Sequence, residues 1–302
     1  MYEKILIPLD GSELSELALP YVEELAGRLG SDVTLLAVTD SAGVQDYNKQ
    51  QIYIQQRIEA AKSGIERYAD KQKGKEIKVE PAILVGRPAE EIVDYADKEG
   101  IDLIVMATHG RSGISRWALG SVADKVVRAT KRPVALIRAK GARTNLRERG
   151  GLNRILVPLD GSKESEAVIP HIEEIAARLN IEVIFLLVVG KAYHVEAVGD
   201  GVAQIPYSEK EMEPLVASAE SYIQKRCSLF EGRGIATTSA VKVGSAAEEI
   251  IKLTDEIRSD MVAMSTHGRS GISRWTLGSV ASKVLHGGNT PVLLVKVPEA
   301  DT

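Results

Sequence analysis

Residues 108–117 read Thr108-His109-Gly110-Arg111-Ser112-Gly113-Ile114-Ser115-Arg116-Trp117, and residues 266–275 repeat the same ten letters. Each copy follows a short apolar run, 103–107 or 261–264, and leads after one residue into Leu-Gly-Ser-Val-Ala and a helical pattern. A strand, a Gly-rich loop and a helix opened by Gly-Ser suit the holding of an anion. Gly lets the backbone come close, and the first helical N–H groups face outward at the positive end of the helix dipole. On this reading the loop cradles the phosphates of a nucleotide once per half of the chain.

The repeat extends outward from the loop. Residues 4–12 align with 154–162, a shift of 150, and 86–92 align with 244–250, a shift of 158. The second copy therefore carries about eight extra residues between those points, near 190–207, read as a longer loop. The expected domains are 1–140 and 153–302. The polar, Gly-ended stretch 141–152 joins them as a linker.

Within the first copy, strands are expected at 4–9, 33–39, 77–84, 102–107 and 133–138. Helices are expected at 12–29, with Ser12 as N-cap, and at 46–71, 88–98 and 120–130. Apolar strands alternating with helices imply a parallel sheet covered on both faces. In such open sheets ligands sit beyond the carboxyl ends of the strands, where the strand order reverses. The Gly-rich loop and the segment Pro8-Leu9-Asp10-Gly11-Ser12 both fall there, so they share a pocket if the first and fourth strands are neighbours.

Composition excludes several function classes. The chain has 302 residues, 44% hydrophobic and 26% charged, with 38 basic against 42 acidic residues. A net charge of −4 gives no basic field for nucleic acid or an acidic membrane. No apolar run reaches the length of a membrane span. Tyr2-Glu3-Lys4-Ile5 enters a strand pattern directly, so a cytoplasmic protein without a leader is expected. Cys227 is the single cysteine and is read as a packing residue.

The candidate residues have two readings each. Gly110, Gly113 and Gly120 serve either turns or a phosphate, and Ser121 either caps its helix or bonds the ligand. Arg111, Arg116, Arg269 and Arg274 either reach phosphate oxygens or face solvent. Asp10 and Asp160, ending their strands before Gly-Ser, either accept from ribose hydroxyls or form Asx turns. The expectation leans toward the ligand, because both copies place the carboxylate in the crevice. His109 and His267 have no carboxylate or second histidine at a spacing that makes a catalytic dyad. Trp117 and Trp275 are read as packing residues.

These residues resemble the universal stress protein family in its tandem form. The resemblance covers nearly the whole chain. It is carried by the Pro-Leu-Asp-Gly-Ser opening, by Val85-Gly86-Arg87-Pro88-Ala89-Glu90-Glu91-Ile92, and by the Gly-rich loop through Pro133-Val134-Ala135-Leu136-Ile137. The family's pattern is Gly, two residues, Gly, nine residues, Gly, then Ser or Thr. Ala107 and Ser265 stand at the first Gly, while Gly110, Gly120 and Ser121, and Gly268, Gly278 and Ser279, keep the rest.

The resemblance implies, per half, a five-stranded parallel sheet with helices on both faces. Its strand order would be 3-2-1-4-5, as in adenine nucleotide alpha hydrolase-like folds. It implies ATP as ligand, with or without Mg2+. By position, Pro8, Asp10 and Val38 would line the adenine and ribose end, and Ala107, His109, Gly110, Arg111, Ser112, Gly113, Gly120, Ser121 and Val122 would hold ribose and phosphates. The second-half counterparts are Pro158, Asp160, Val188, Ser265, His267, Gly268, Arg269, Ser270, Gly271, Gly278, Ser279 and Val280. Members pair through the last strand, so a tandem chain would pair internally, with a homodimer of chains as a further option. The rival readings are a slow ATPase and a nucleotide-free dimerisation scaffold. An adenylating ligase of the pyrophosphatase type is disfavoured, since Asp10-Gly11-Ser12 replaces its Ser-Gly-Gly-x-Asp-Ser loop. A Walker Gly-Lys-Ser/Thr loop is also missing.

Overall fold

The computed structural model describes residues 1–39, 44–69, 76–109, 119–138, 146, 151–198, 201–268 and 277–297. The first half runs β1 (Lys4–Pro8), α1 (Glu13–Glu16), α2 (Leu19–Leu29), β2 (Asp32–Thr39), α3 (Val44–Glu66), β3 (Val79–Val85), α4 (Pro88–Lys98), β4 (Leu103–Ala107), α5 (Ser121–Ala129) and β5 (Val134–Ile137). The second runs β6 (Arg154–Leu159), a 3-10 turn (Ser165–Val168), α6 (Ile169–Leu179), β7 (Glu182–Val189), β8 (Tyr193–Val198), β9 (Gly201–Pro206), α7 (Glu209–Glu231), β10 (Thr237–Val243), α8 (Ala246–Glu256), β11 (Met261–Ser265), α9 (Ser279–Gly287) and β12 (Val292–Val295).

Two sequence expectations are corrected here. The helix expected over 12–29 is broken after α1, because Pro20 enters at the first turn of α2 and has no N–H to continue a preceding helix. Pro170 does the same at α6. The extra residues of the second half are not a plain loop. They form an antiparallel hairpin, β8 against β9, with Val198 opposite Gly201.

Ten strands make one sheet in the order β10-β7-β6-β11-β12-β5-β4-β1-β2-β3. The first half thus shows the order 3-2-1-4-5, and pairing is parallel within each half. At the centre β12 meets β5 antiparallel, with Val292 opposite Leu136 and Leu294 opposite Val134. The central strands β4, β5 and β12 are short, apolar and buried on both faces, which is why the sequence shows no alternation there. One apolar cluster lies beneath α2, α3, α6 and α7 and runs through both halves, and the other lies beneath α4, α5, α8 and α9. Leu146 and Leu152, in the expected linker, are both buried in the first cluster.

The pseudo-twofold junction is reinforced at helix ends. Arg28, at the end of α2, donates to the Leu179 carbonyl that ends α6, and Arg178 donates to the Leu29 carbonyl that ends α2. Arg138 donates to the Leu285 carbonyl of α9, and Lys296 to the Arg128 carbonyl of α5 at 3.1 Å. Each cation meets unsatisfied carbonyls at the negative end of the other half's helix. Cys227 packs in the core near Ile223 and Phe230, as expected of a structural thiol. No described helix is long and apolar enough to cross a membrane.

Candidate nucleotide site

β1 pairs with β4, so their carboxyl ends open side by side onto one cavity. At the β1 end, Gly11 takes φ +82, a left-handed conformation that favours glycine. The turn it makes lets the Asp10 Oδ1 accept from Ser12 N at 3.0 Å and from Ser12 Oγ at 2.6 Å. Ser12 Oγ in turn accepts from Ser15 N at 3.2 Å, and so caps α1 as the sequence indicates. The second half repeats the pattern: Asp160 Oδ1 accepts from Ser162 N at 2.9 Å, and Ser162 Oγ from Ser165 N at 3.1 Å. One oxygen of each aspartate is therefore engaged in an Asx turn, the less favoured of the two readings.

At the β4 end the chain leaves at Thr108 and returns to it. Gly120 N donates to the Thr108 carbonyl at 2.8 Å, and Gly278 N to the Thr266 carbonyl at 2.8 Å. Gly120 has φ −58 and ψ 148, open to any residue, so its conformation does not require glycine. Proximity does: a Cβ on Gly120 would lie 2.7 Å from the Thr108 oxygen. Of the two readings of Ser121, capping its helix does not occur. Gly120 is the N-cap and Ser121 the first helical residue, and no capping side chain is found at this end among the described residues. The same holds for Gly278 and Ser279. Among the described residues, each helix thus presents its first N–H groups without a capping side chain, as an anion site requires.

The larger cavity, about 630 Å3, brings together Pro8, Asp10, Val38, Ala107, His109, Gly120, Ser121 and Val122. The second, about 270 Å3, brings together Pro158, Asp160, Val188, Ser265, His267, Gly268, Gly278, Ser279 and Val280. Gly110, Arg111, Ser112 and Gly113 lie outside the described residues, as do Arg269, Ser270, Gly271, Arg116, Arg274 and both tryptophans. His109 Nδ1 lies 3.0 Å from Thr108 Oγ1, and its Nε2 is buried without a hydrogen-bond partner among the described residues. His267 is matched, with Nδ1 3.1 Å from Thr266 Oγ1. Ser265 Oγ donates to the His267 carbonyl, so the hydroxyl is turned into the loop itself.

Leu36, Ile92 and Met106 give the first cavity an apolar lining, matched in the second by Leu186, Ile250 and Met264. The walls differ at α3, which adds Lys49 and Gln50 to the first. Sequence reasoning missed all of these. In the second half α7 starts only after the hairpin, and no α7 residue lines the smaller cavity. Small-molecule sites commonly enclose about 300–1,000 Å3. The first cavity falls well inside that range, and the second just below it.

Comparison with known proteins identifies the family and the fold. The model of the universal stress protein family matches twice, over residues 1–138 and 151–296. A universal stress protein of Methanocaldococcus jannaschii is 33% identical over 159 residues, spanning 47% of this chain and 98% of its own length. One from Synechocystis is 21% identical over 313 residues and spans 96% of this chain and 99% of its own. Among solved structures, a universal stress protein from Archaeoglobus fulgidus superposes with a TM-score of 0.65 at 20% identity, covering 98% of this chain and 97% of that one.

Proposed function

The chain belongs to the universal stress protein family, and we propose that it is an adenine-nucleotide-binding module that holds ATP without rapid turnover. One observation carries this reading. An N-terminus of α5 that has no side-chain cap among the described residues lines a cavity of about 630 Å3 whose remaining wall is largely apolar. Phosphates would sit at the helix end, where N–H groups and dipole favour negative charge. Base and ribose would lie toward Pro8, Leu36 and Val38. The repeats 1–140 and 153–302 would act as the two modules, joined by 141–152, in a cytoplasmic stress response that draws on the ATP pool.

Asp10 is the one carboxylate among the described lining residues of the larger cavity. A Mg2+ ion there would rest mainly on phosphate oxygens and water, with at most this one protein ligand, the usual habit of that cation. It would offset phosphate charge. A second reading, a scaffold that needs no nucleotide, draws support from the second half, with its smaller cavity and inward-bonded Ser265.

Native mass spectrometry and the absorbance ratio of purified protein would test the nucleotide reading, followed by calorimetry with ATP after stripping. The expected result is co-purified adenine nucleotide, or one strong ATP site per chain. Neither retained nucleotide nor ATP binding at millimolar concentration would leave the scaffold reading.

A further inference from the structure

The buried stripe of α3 is formed by Ile54, Ile58, Ala61 and Ile65, spaced three and four residues apart. One turn before Ile54 the same stripe reaches Gln50, where a further apolar side chain would be expected. Gln50 is only 9% exposed, and its Oε1 is buried without a hydrogen-bond partner among the described residues. It also lines the larger cavity. A buried carbonyl oxygen without a donor is unfavourable, and proteins rarely retain one that nothing satisfies. Here the donor can come from whatever fills the cavity.

Its position narrows what that donor is. α3 packs on β2 and β3, the side of the cavity away from β4 and from the amino end of α5. An anion takes the α5 end, so the group nearest Gln50 is the opposite end of the ligand. There Leu36, Val38, Pro88 and Ile92 make an apolar slot suited to a flat ring. In such a slot a single polar group fixes which ring fits and how it is turned. Thr39 and Lys49 share that end but have partners of their own; the acceptor that has none among the described residues, Gln50 Oε1, selects a ring bearing an amine. The second cavity has no such group from its long helix.

We infer that Gln50 is the base-specificity residue of the first half, its side-chain carbonyl accepting from the exocyclic amine of adenine. The inference rests on reading the cavity as a nucleotide site. Discrimination is then a property of the first half alone.

The test uses the full chain, stripped of nucleotide, and two probes: ATP, and the purine riboside triphosphate in which hydrogen replaces the amine. GTP is a poor comparator, because the Gln50 amide can rotate to donate to its oxygen. Wild-type protein should bind ATP about fivefold to tenfold more tightly than the deaminated analogue, the usual worth of one net hydrogen bond. In Gln50→Met, which keeps side-chain volume and suits the apolar stripe, the ratio should fall to about one. As a measurement on unaltered protein, the Gln50 side-chain amide resonance should shift with ATP and not with the analogue. Equal binding of both probes by wild-type protein, or an unchanged preference in Gln50→Met, would overturn the role of Gln50 alone. Binding of neither probe by wild-type protein would overturn the nucleotide site and this inference with it.

Discussion

Leu136→Ala tests whether the two halves form one cooperative body. Leu136 is fully buried, lies on β5 at the central junction, and faces Val292 of β12 across the antiparallel pair. Truncating a buried leucine to alanine costs about 2–5 kcal/mol. Unfolding entropy is about 2.1 cal/mol/K per residue, which for 302 residues gives about 0.63 kcal/mol/K. If the ten-stranded sheet unfolds as a unit, the single transition should fall by roughly 3–8 °C. If the halves unfold independently, the mutated half carries about half that entropy. Its transition should then fall by roughly 6–16 °C while the other stays in place. Differential scanning calorimetry separates the outcomes by the number of transitions as well as by the shift. Two transitions, with only one displaced, would refute the single body.

Gly120→Ala adds one methyl where 2.7 Å separates it from the Thr108 oxygen, at dihedral angles alanine accepts. The strain therefore falls on the cradle, and calorimetry should show ATP affinity reduced about tenfold or more with the fold retained, if overpacking of about 1–3 kcal/mol is borne there. Phosphate release from ATP should stay well below about 1 per second: of the bases lining the cavity, Asp10 Oδ1 is bonded to Ser12 and His109 Nδ1 to Thr108 Oγ1, which is not the positioned pair that the turnover of dedicated enzymes needs. At the hairpin, the Ser208 hydroxyl and N–H, then His194, hold the Glu211 carboxyl down to about 2 from its ordinary 4.5. A depressed carboxylate contributes stability that is present above its unfolded value and lost as pH falls through the folded one. Order of the first turn of α7, followed by the amide resonances of Ser208 and Glu211, should therefore decay between about pH 4.5 and pH 2, and Glu211→Gln should remove that dependence.

Much of this was legible because duplication wrote it twice. The apolar runs of β1 and β4 lie on the two motifs, and right-handed parallel topology leaves few ways to connect them. That logic places Asp10 and Gly120 at one cavity before any coordinate is seen. The break between α1 and α2 was also written in the sequence, in Pro20 and Pro170. The hairpin was written in the alternating 193–198 run, followed by Gly199-Asp200 where a two-residue turn is wanted. A shift of eight residues hid it, since the connection before α7 is longer than its first-half counterpart and the one after α7 is shorter. Gln50 could not be told from Gln51, Gln55 and Gln56 by composition. Only its register with Ile54 and Ile58 marks it, and what it faces depends on packing between helix and sheet. The role of Gly120 was half legible: the residue type was plain, but its cause is an approach to a carbonyl twelve positions away along the chain.

The junction of β5 with β12 is indifferent to covalent connection. Its register, and the reciprocal grip of Arg28 and Arg178 on the opposite helix ends, would be the same if the two strands came from different molecules. Residues 139–150 keep the intramolecular partner nearer than any other, and so decide the matter by local concentration. A chain with that connection cut short should exchange halves with a second copy, each lobe completing the other. Light scattering would report a doubled mass while every contact of the seam persisted. Tether length, rather than surface chemistry, sets how many molecules share one sheet.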